Sequence, residues 1–295
     1  MTGLNGAWPV VLTPFGEDGA IDHAALARYA EWLIASGSGG LFPVALSGEM
    51  YELSLAERLA AVRTVVGAAA GRVPVAAVAL GDEGALASEV ADLSAAGADV
   101  VVLVVSSVLT ESDDEERLHE IVADVIDANP DAALGIYECP IPHHRLLSTD
   151  ALSRLAQTGR FVFLKETSHD VDVMAERVRV SSPHGLHVFN AGIENYVESL
   201  RVGVSGLSGW VVNVAPDLVA RIGDLVATGQ TVEALALQAR LEAVEKEMGA
   251  TYPSSAKAIV DARSDAGLGL RSRWRPSEVD AAQVADLAVR LNALA

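Results

Sequence analysis

The feature that most constrains the fold of this chain is a regular alternation of apolar, β-branched segments with helical patterns. The apolar segments are continuous runs rather than alternating ones, which is typical of parallel strands that are covered on both faces. The predicted strands are Ala7–Thr13, Gly40–Ala45, Val73–Ala79, Val100–Val105, Ala133–Tyr137, Phe161–Glu166, His187–Ala191 and Gly206–Trp210. This repetition predicts an α/β fold, specifically a (β/α)8 TIM barrel rather than an open doubly wound sheet.

Helical patterns lie between the predicted strands, and several begin at a residue that favours helix N-termini. The clearest predicted helices are Asp22–Ser36, Ser54–Ala70, Asp113–Ala128 and Ser148–Gln157, with N-caps expected at Ser54, Asp113 and Ser148. Beyond position 227 the strand pattern stops, and three further helices are predicted at Thr231–Gly249, Ser254–Ala266 and Pro276–Ala295. We therefore expect a catalytic barrel domain over 1–227 and a C-terminal helical extension over 228–295.

Composition excludes several classes of protein. The chain has 295 residues, 51% of them hydrophobic, which is enough apolar material for a large core. Its formal net charge of -19 repels phosphate backbones and anionic lipid headgroups, so neither nucleic acid nor a membrane is an expected partner. Cys139 is the only cysteine, so an internal disulfide is excluded. Because the first residues also lack the basic segment of a signal peptide, we expect a cytoplasmic protein.

One lysine stands out among the three in the chain, which are Lys165, Lys246 and Lys257. Lys165 lies near the C-terminal end of the predicted sixth strand, where barrel enzymes place their chemistry, and follows an apolar run. An amine against apolar walls loses hydration, so its pKa falls and its nucleophilic form becomes accessible. The structural alternative is an ion pair with Glu166 or another carboxylate. Tyr137 ends the preceding strand and can lie beside Lys165, where a phenol can transfer protons during imine formation.

These residues belong to a wider pattern that resembles the family of dihydrodipicolinate synthase and N-acetylneuraminate lyase. The resemblance spans essentially the whole chain and is carried by Thr13-Pro14-Phe15, Ser47-Gly48-Glu49, Tyr137 with Pro140, Leu164-Lys165-Glu166-Thr167-Ser168 and Asn213-Val214-Ala215-Pro216. It implies a Schiff base on Lys165, with Tyr137 as the proton-transfer partner. It also implies that Ser47 and the backbone amides of Ser47 and Gly48 hold the carboxylate of a 2-oxo acid such as pyruvate.

The resemblance further implies that no metal or organic cofactor is needed and that the protein is a homotetramer or a dimer. Gly192 follows the predicted seventh strand, and Ser208 lies in the predicted eighth strand. We predict both residues as additional substrate contacts.

Three positions depart from the family pattern. Leu46 replaces the hydroxyl that links the catalytic tyrosine to a proton relay, and Leu109, preceded by Val108, replaces the second relay tyrosine. The segment 141–144 stands where the synthase carries its substrate-binding arginine. We therefore predict a Schiff-base lyase, aldolase or dehydratase that acts on pyruvate or another 2-oxo acid and is not a true dihydrodipicolinate synthase. It is expected either to take a less polar second substrate or to run another lyase or dehydratase reaction on a 2-oxo acid.

Two other functions stay open at this point. A non-catalytic paralogue that only binds a 2-oxo acid is also compatible with the apolar relay positions, although such a binder has no need for Lys165 and Tyr137 together. Glu138, His143 and His144 are candidate accessory acid–base groups, or the ligands of a metal-dependent barrel hydrolase. The plainer interpretation of these three residues is a solvated loop.

Overall fold

The computed structural model describes residues 4–295 and is built around one parallel sheet. The strands are β1 (Gly6–Ala7), β2 (Ala76–Ala79), β3 (Val100–Val104), β4 (Leu134–Tyr137), β5 (Phe161–Glu166), β6 (His187–Asn190) and β7 (Gly206–Leu207). Their order across the sheet is β1-β7-β6-β5-β4-β3-β2, and every neighbouring pair is parallel. The predicted α/β class is therefore confirmed.

The helices alternate with the strands through most of the chain and then continue alone. The first group is α1 (His23–Ala35), α2 (Leu55–Ala69), α3 (Glu83–Ala95), α4 (Val105–Val108), α5 (Glu115–Ala128), α6 (Thr149–Gln157), α7 (Val171–Ser181), α8 (Tyr196–Arg201) and α9 (Pro216–Ala227). The helices α10 (Thr231–Gly249), α11 (Ser254–Arg263) and α12 (Ala281–Asn292) follow without an intervening strand in the described part of the chain. No helix within residues 4–295 is both long enough and apolar enough to cross a membrane.

The predicted second strand, Gly40–Ala45, does not form a regular strand, so the described sheet has seven strands where eight were predicted. Pro43 has no amide hydrogen to donate, and Val44 takes a φ of 49°, so the backbone turns at this point. The preceding residues still bond to both edges of the sheet. The amide of Gly39 donates to the carbonyl of Ala7 at 2.9 Å, and the amide of Leu41 donates to the carbonyl of Pro74 at 2.9 Å.

The predicted first strand, Ala7–Thr13, is also wrong in its extent, because only Gly6–Ala7 pairs as a strand. Several other boundaries follow the local sequence closely. The strand β5 and the helix α10 have the predicted bounds, and Ser54 and Ser148 are the N-caps of α2 and α6. The N-cap of α5 is Asp114 rather than the predicted Asp113. The reason is local, because the Asp113 carboxylate already accepts hydrogen bonds from the amide and the hydroxyl of Thr110, each at 2.7 Å.

Side chains alternate between the two faces of β5, so every second residue lies on the inner face of the curved sheet. Its inner face joins a buried aromatic cluster formed by Trp8, Phe42, Phe163 and Phe189. Lys165 lies two residues beyond Phe163, so its side chain lies on the same face, with Nζ 6.0 Å from the centroid of the Phe42 ring. Glu166 faces the other way and pairs with Arg177 of α7. The fold thus places the Lys165 amine against the buried aromatic cluster.

Candidate active site

The centre of the site is the pair Lys165 and Tyr137. The two residues are direct register partners on the adjacent parallel strands β5 and β4, as their positions at the strand ends predict. The Lys165 Nζ lies 4.7 Å from the centroid of the Tyr137 ring. Both residues are buried, with 5% of Lys165 and 3% of Tyr137 exposed. An amine and a phenol therefore share one enclosed space.

Lys165 has no counter-ion in contact with it. The structural alternative, an ion pair with Glu166, is wrong because Glu166 lies on the opposite face of β5 and pairs with Arg177 at 3.0 Å. Among residues 4–295, Lys165 takes part in no salt bridge. Burial lowers the pKa of Lys165 to about 8, and the more distant Cys139 and Glu245 oppose this fall. The neutral, nucleophilic amine is therefore accessible near neutral pH.

Tyr137 is held in its protonated form. Burial is the largest influence and raises the pKa of the phenol well above its ordinary range, with the neighbouring Cys139 adding to the rise. A phenol of this kind donates a proton readily only to a more basic atom, and it is a poor general base near neutral pH. Cys139 itself is fully buried, and burial also raises the pKa of its thiol, so it is not a ready nucleophile.

The loop at 46–50 borders the site and carries the predicted carboxylate-binding group. Ser47 and Gly48 are buried in a short helical turn, and among the described residues neither of their amides donates to a backbone or side-chain acceptor. The Thr13 hydroxyl fixes the turn by donating to the carbonyl of Gly48 at 2.7 Å. A Cβ on Gly48 would lie 2.9 Å from the carbonyl oxygen of Val11, so only glycine fits there. The turn thus offers two free donors to an anion.

Glu49 attaches this loop to the C-terminal region. Its carboxylate pairs with Lys257 of α11 at 2.8 Å and accepts hydrogen bonds from the Ser272 hydroxyl at 3.1 Å and the amides of Arg273 and Trp274 at 2.6 and 3.0 Å. Lys257 is fully buried. Because Glu49 also adopts a left-handed φ of 63°, the carboxylate contacts hold the loop in a conformation that an isolated segment would disfavour.

The site opens into a cavity of about 330 Å³. Its walls include Leu46, Tyr137, His144, Lys165, Ser208 and Glu245. Ser208 is fully buried, and its Oγ has no hydrogen-bond partner in the described part of the chain. Gly192, predicted beside it, is not part of the wall; its amide donates to the Asn190 side chain at 2.8 Å, and Ala191 lines the cavity instead.

Of the three apolar residues that suggested a less polar second substrate, Leu46, Val108 and Leu109, only Leu46 lines the cavity. Leu46 does line the cavity, but Leu109 is buried in the main core with 1% exposed and Val108 packs against that core. Neither Val108 nor Leu109 reaches the cavity wall of this chain. The expectation of a less polar second substrate therefore rests on Leu46 alone, since Val108 and Leu109 lie outside the pocket.

The three candidate accessory residues do not act as one group. Glu138 is fully buried rather than solvated, and its carboxylate binds Arg177 and accepts from the amide of Leu147 at 2.7 Å. His143 is half-buried, and its Nε2 has no partner among residues 4–295. Only His144 reaches the cavity, where its Nε2 lies 2.9 Å from the Thr167 hydroxyl. With Glu138 held by Arg177, the donors of a metal-dependent hydrolase do not converge.

Sequence reasoning missed two residues that border the site from the C-terminal region. Glu245 of α10 lines the cavity, and burial raises the pKa of its carboxyl to about 7 although the Val211 amide opposes this. Tyr252 is buried beside the loop, where hydrogen bonds with Ser47 and Asn213 oppose the rise that burial causes in its pKa. Glu245 lies in a charged stretch that is typical of a solvated helix face, so no local signal marked it.

Comparison with known proteins gives one consistent family. The model of the dihydrodipicolinate synthetase family matches residues 3–276. An uncharacterized DapA-like lyase of Halobacterium salinarum is 31% identical over 294 residues, which cover 97% of this chain and 94% of that protein. The 4-hydroxy-tetrahydrodipicolinate synthase of Gluconacetobacter diazotrophicus is 30% identical over 245 residues, which cover 82% of this chain and 81% of the relative.

Solved structures show the same fold at lower sequence identity. The sialic acid aldolase of Ruminococcus gnavus superimposes with a TM-score of 0.89 at 17% identity, covering 99% of this chain and 98% of the other. YagE of Escherichia coli K12, a protein of the dihydrodipicolinic acid synthase family in complex with pyruvate, gives a TM-score of 0.84 at 22% identity, covering 98% of each chain. At these identities the likeness establishes the fold and leaves the reaction open.

Proposed function

Because this chain belongs to the dihydrodipicolinate synthetase family, we propose that it is a Schiff-base lyase that acts on pyruvate or another 2-oxo acid. The observation that carries the proposal is the Lys165 amine, which is buried beside Tyr137 and forms no ion pair among residues 4–295. A protein that only binds 2-oxo acids gains nothing from an uncompensated, desolvated amine. We therefore favour catalysis over the non-catalytic alternative.

We also infer that the sheet closes as a (β/α)8 barrel, because the segment 38–42 bonds to both of its edges.

In the proposed first step, the neutral Lys165 nitrogen attacks the carbonyl carbon of the 2-oxo acid and forms a carbinolamine. The Tyr137 phenol gives its proton to the departing hydroxyl, which leaves as water, and the phenolate then regains a proton from solvent while the imine nitrogen keeps its own. The free amides of Ser47 and Gly48 would hold the substrate carboxylate at the same time. The resulting protonated imine withdraws electrons from the bond next to it, which prepares that bond for cleavage or formation.

We propose a lyase other than dihydrodipicolinate synthase. Leu46 lies in the cavity wall where the synthase pattern has a hydroxyl. His144 reaches the cavity from the segment in which the synthase pattern has an arginine. Both changes alter the groups that meet a second substrate, while the groups that would form the imine stay in place.

The test is reductive trapping with pyruvate and borohydride, followed by mass spectrometry of the intact protein and of its peptides. We expect one adduct on the peptide that contains Lys165, and no adduct in Lys165→Ala. Lys246→Ala is the matched control, because Lys246 is an exposed lysine of α10 and its loss should leave the adduct unchanged. Calorimetric binding of pyruvate without any adduct on the wild-type protein would refute the lyase and support the binding paralogue.

A further inference from the structure

One acidic side chain in the pocket is not needed for imine formation. Glu245 projects from α10, which follows the last strand, into the cavity that also contains Lys165. Its Oε2 accepts a hydrogen bond from the amide of Val211 at 2.7 Å, and its Oε1 has no hydrogen-bond partner among residues 4–295. One oxygen therefore anchors the carboxyl while the other is free for a ligand.

The cavity wall next to Glu245 is closely packed at Gly209. A Cβ on Gly209 would lie 2.5 Å from the carbonyl oxygen of Ala191 and 3.9 Å from Oε2 of Glu245. Any residue larger than glycine would therefore collide with the backbone of the cavity wall. Trp210, the next residue, stacks on Tyr252 with 4.4 Å between the ring centroids and forms a rigid side of the same cavity.

A second, independent observation points to a polar ligand at this wall. Ser208 is fully buried, its Oγ has no partner among the described residues, and it lines the same cavity as Glu245. Leaving a buried hydroxyl without a hydrogen bond costs about 1–3 kcal/mol. A substrate oxygen placed between Ser208 and Glu245 would remove this cost.

We propose that Glu245 is a catalytic residue that exchanges a proton with the β-hydroxyl of a 4-hydroxy-2-oxo acid bound as an imine on Lys165. This inference rests on the proposed function. In the cleavage direction the Glu245 carboxylate takes the proton of the hydroxyl that is β to the imine carbon. The bond between the α and β carbons then breaks, and its electron pair moves towards the iminium nitrogen to give an enamine. The β carbon leaves as an aldehyde, and in the reverse direction Glu245 returns the proton to the alkoxide.

The other titratable groups of the cavity are less suited to this proton transfer. Tyr137 stays protonated because burial raises its pKa, so it cannot serve as the base near neutral pH. His144 and His169 are exposed at the mouth, and each has one ring nitrogen occupied, by Thr167 at 2.9 Å and by Glu194 at 2.5 Å. The pKa of Glu245, which burial raises to about 7, leaves both of its protonation states available in the physiological range.

The experiment separates imine formation from the later step. Wild type, Glu245→Gln and the control Glu242→Gln are compared in two assays; Glu242 is an exposed carboxylate on the same helix. The first assay is borohydride trapping of pyruvate. The second is release of pyruvate from racemic 4-hydroxy-2-oxopentanoate and from racemic 4,5-dihydroxy-2-oxopentanoate, measured with lactate dehydrogenase. Glu245→Ala is also assayed with added formate, a small carboxylate that can occupy the vacated space.

We expect Glu245→Gln to reach the same final amount of trapped pyruvate as wild type, and its kcat for cleavage to fall about 10²–10⁴-fold with little change in KM. Glu242→Gln should keep both activities, and formate should restore part of the activity of Glu245→Ala. Full turnover by Glu245→Gln would overturn the inference, as would trapping by wild type without cleavage of either probe. In both cases the Schiff-base function would stand, whereas failure of wild type to trap pyruvate would refute that function itself.

Discussion

The desolvation of Lys165 predicts an unusual pH dependence for imine formation with pyruvate. The ordinary pKa of a lysine is 10.5, and burial lowers that of Lys165 to about 8. At pH 7 this change raises the neutral fraction of the amine from about one molecule in three thousand to about one in ten, which corresponds to about 3 kcal/mol. The difference comes from burial of the amine, and no contacting carboxylate within residues 4–295 offsets it.

The assay is the initial rate of adduct formation between pH 6 and pH 10, with borohydride quenching at fixed times. We expect the rate to rise about tenfold per pH unit up to about pH 8 and then to level off, because the neutral amine is the nucleophile. Tyr137 should not add a second transition in this range, since burial raises its pKa well above its ordinary value. The pyruvate carboxylate is ionised throughout the range, so it adds no transition either.

A variant provides an internal check on the electrostatics. The Glu245 carboxylate opposes the fall in the Lys165 pKa, so Glu245→Gln should shift the whole profile to lower pH. A rate that continues to rise up to pH 10 in the wild-type protein would refute the reasoning. Such a profile would mean that Lys165 is hydrated or paired in solution.

Three further predictions concern the framework of the site, and each is checked by urea unfolding. Arg177→Met leaves two buried carboxylates without their counter-ion, so we expect a loss of about 3–5 kcal/mol. Lys257→Met leaves Glu49 unpaired and should cost a similar amount, together with weaker pyruvate binding in calorimetry; unchanged binding would show that the loop keeps its shape without Lys257. Gly40→Ala places a Cβ 2.4 Å from an indole carbon and should cost about 1–3 kcal/mol or more, whereas Gly223→Ala in α9 meets nothing within 4 Å and should stabilise by about 0.5–1 kcal/mol.

The positions of the regular elements could be predicted from local sequence because helices and strands have short periods. The strand β5 was correct at both ends, since its apolar run is continuous and well bounded. The helix α10 was correct for the same kind of reason. The prediction of a second strand at Gly40–Ala45 was wrong, because Pro43 lacks an amide hydrogen and Val44 turns the backbone, so the segment cannot pair as a regular strand. Composition describes the burial of a segment better than it describes the hydrogen bonds of its backbone.

The proximity of Tyr137 and Lys165, the central pair of the site, could also be predicted from the sequence. Tyr137 and Lys165 end consecutive strands, and parallel strands bring such ends together, so their register follows from spacing. The same period excludes the ion pair between Lys165 and Glu166, because neighbouring residues in a strand face opposite sides. That argument was available from the sequence and excludes Glu166 as the ion-pair partner of Lys165.

What the sequence by itself determined is therefore the set of elements, the order in which they occur and the reactive pair at the ends of two strands. Only the tertiary structure decided which distant side chains complete the pocket. Lys257 reaches Glu49 across 208 residues, and Glu245 meets the cavity from a helix beyond the last strand. Such contacts depend on how the curved sheet and the C-terminal helices pack, and charged residues on a helix have the same sequence pattern whether they face water or a substrate.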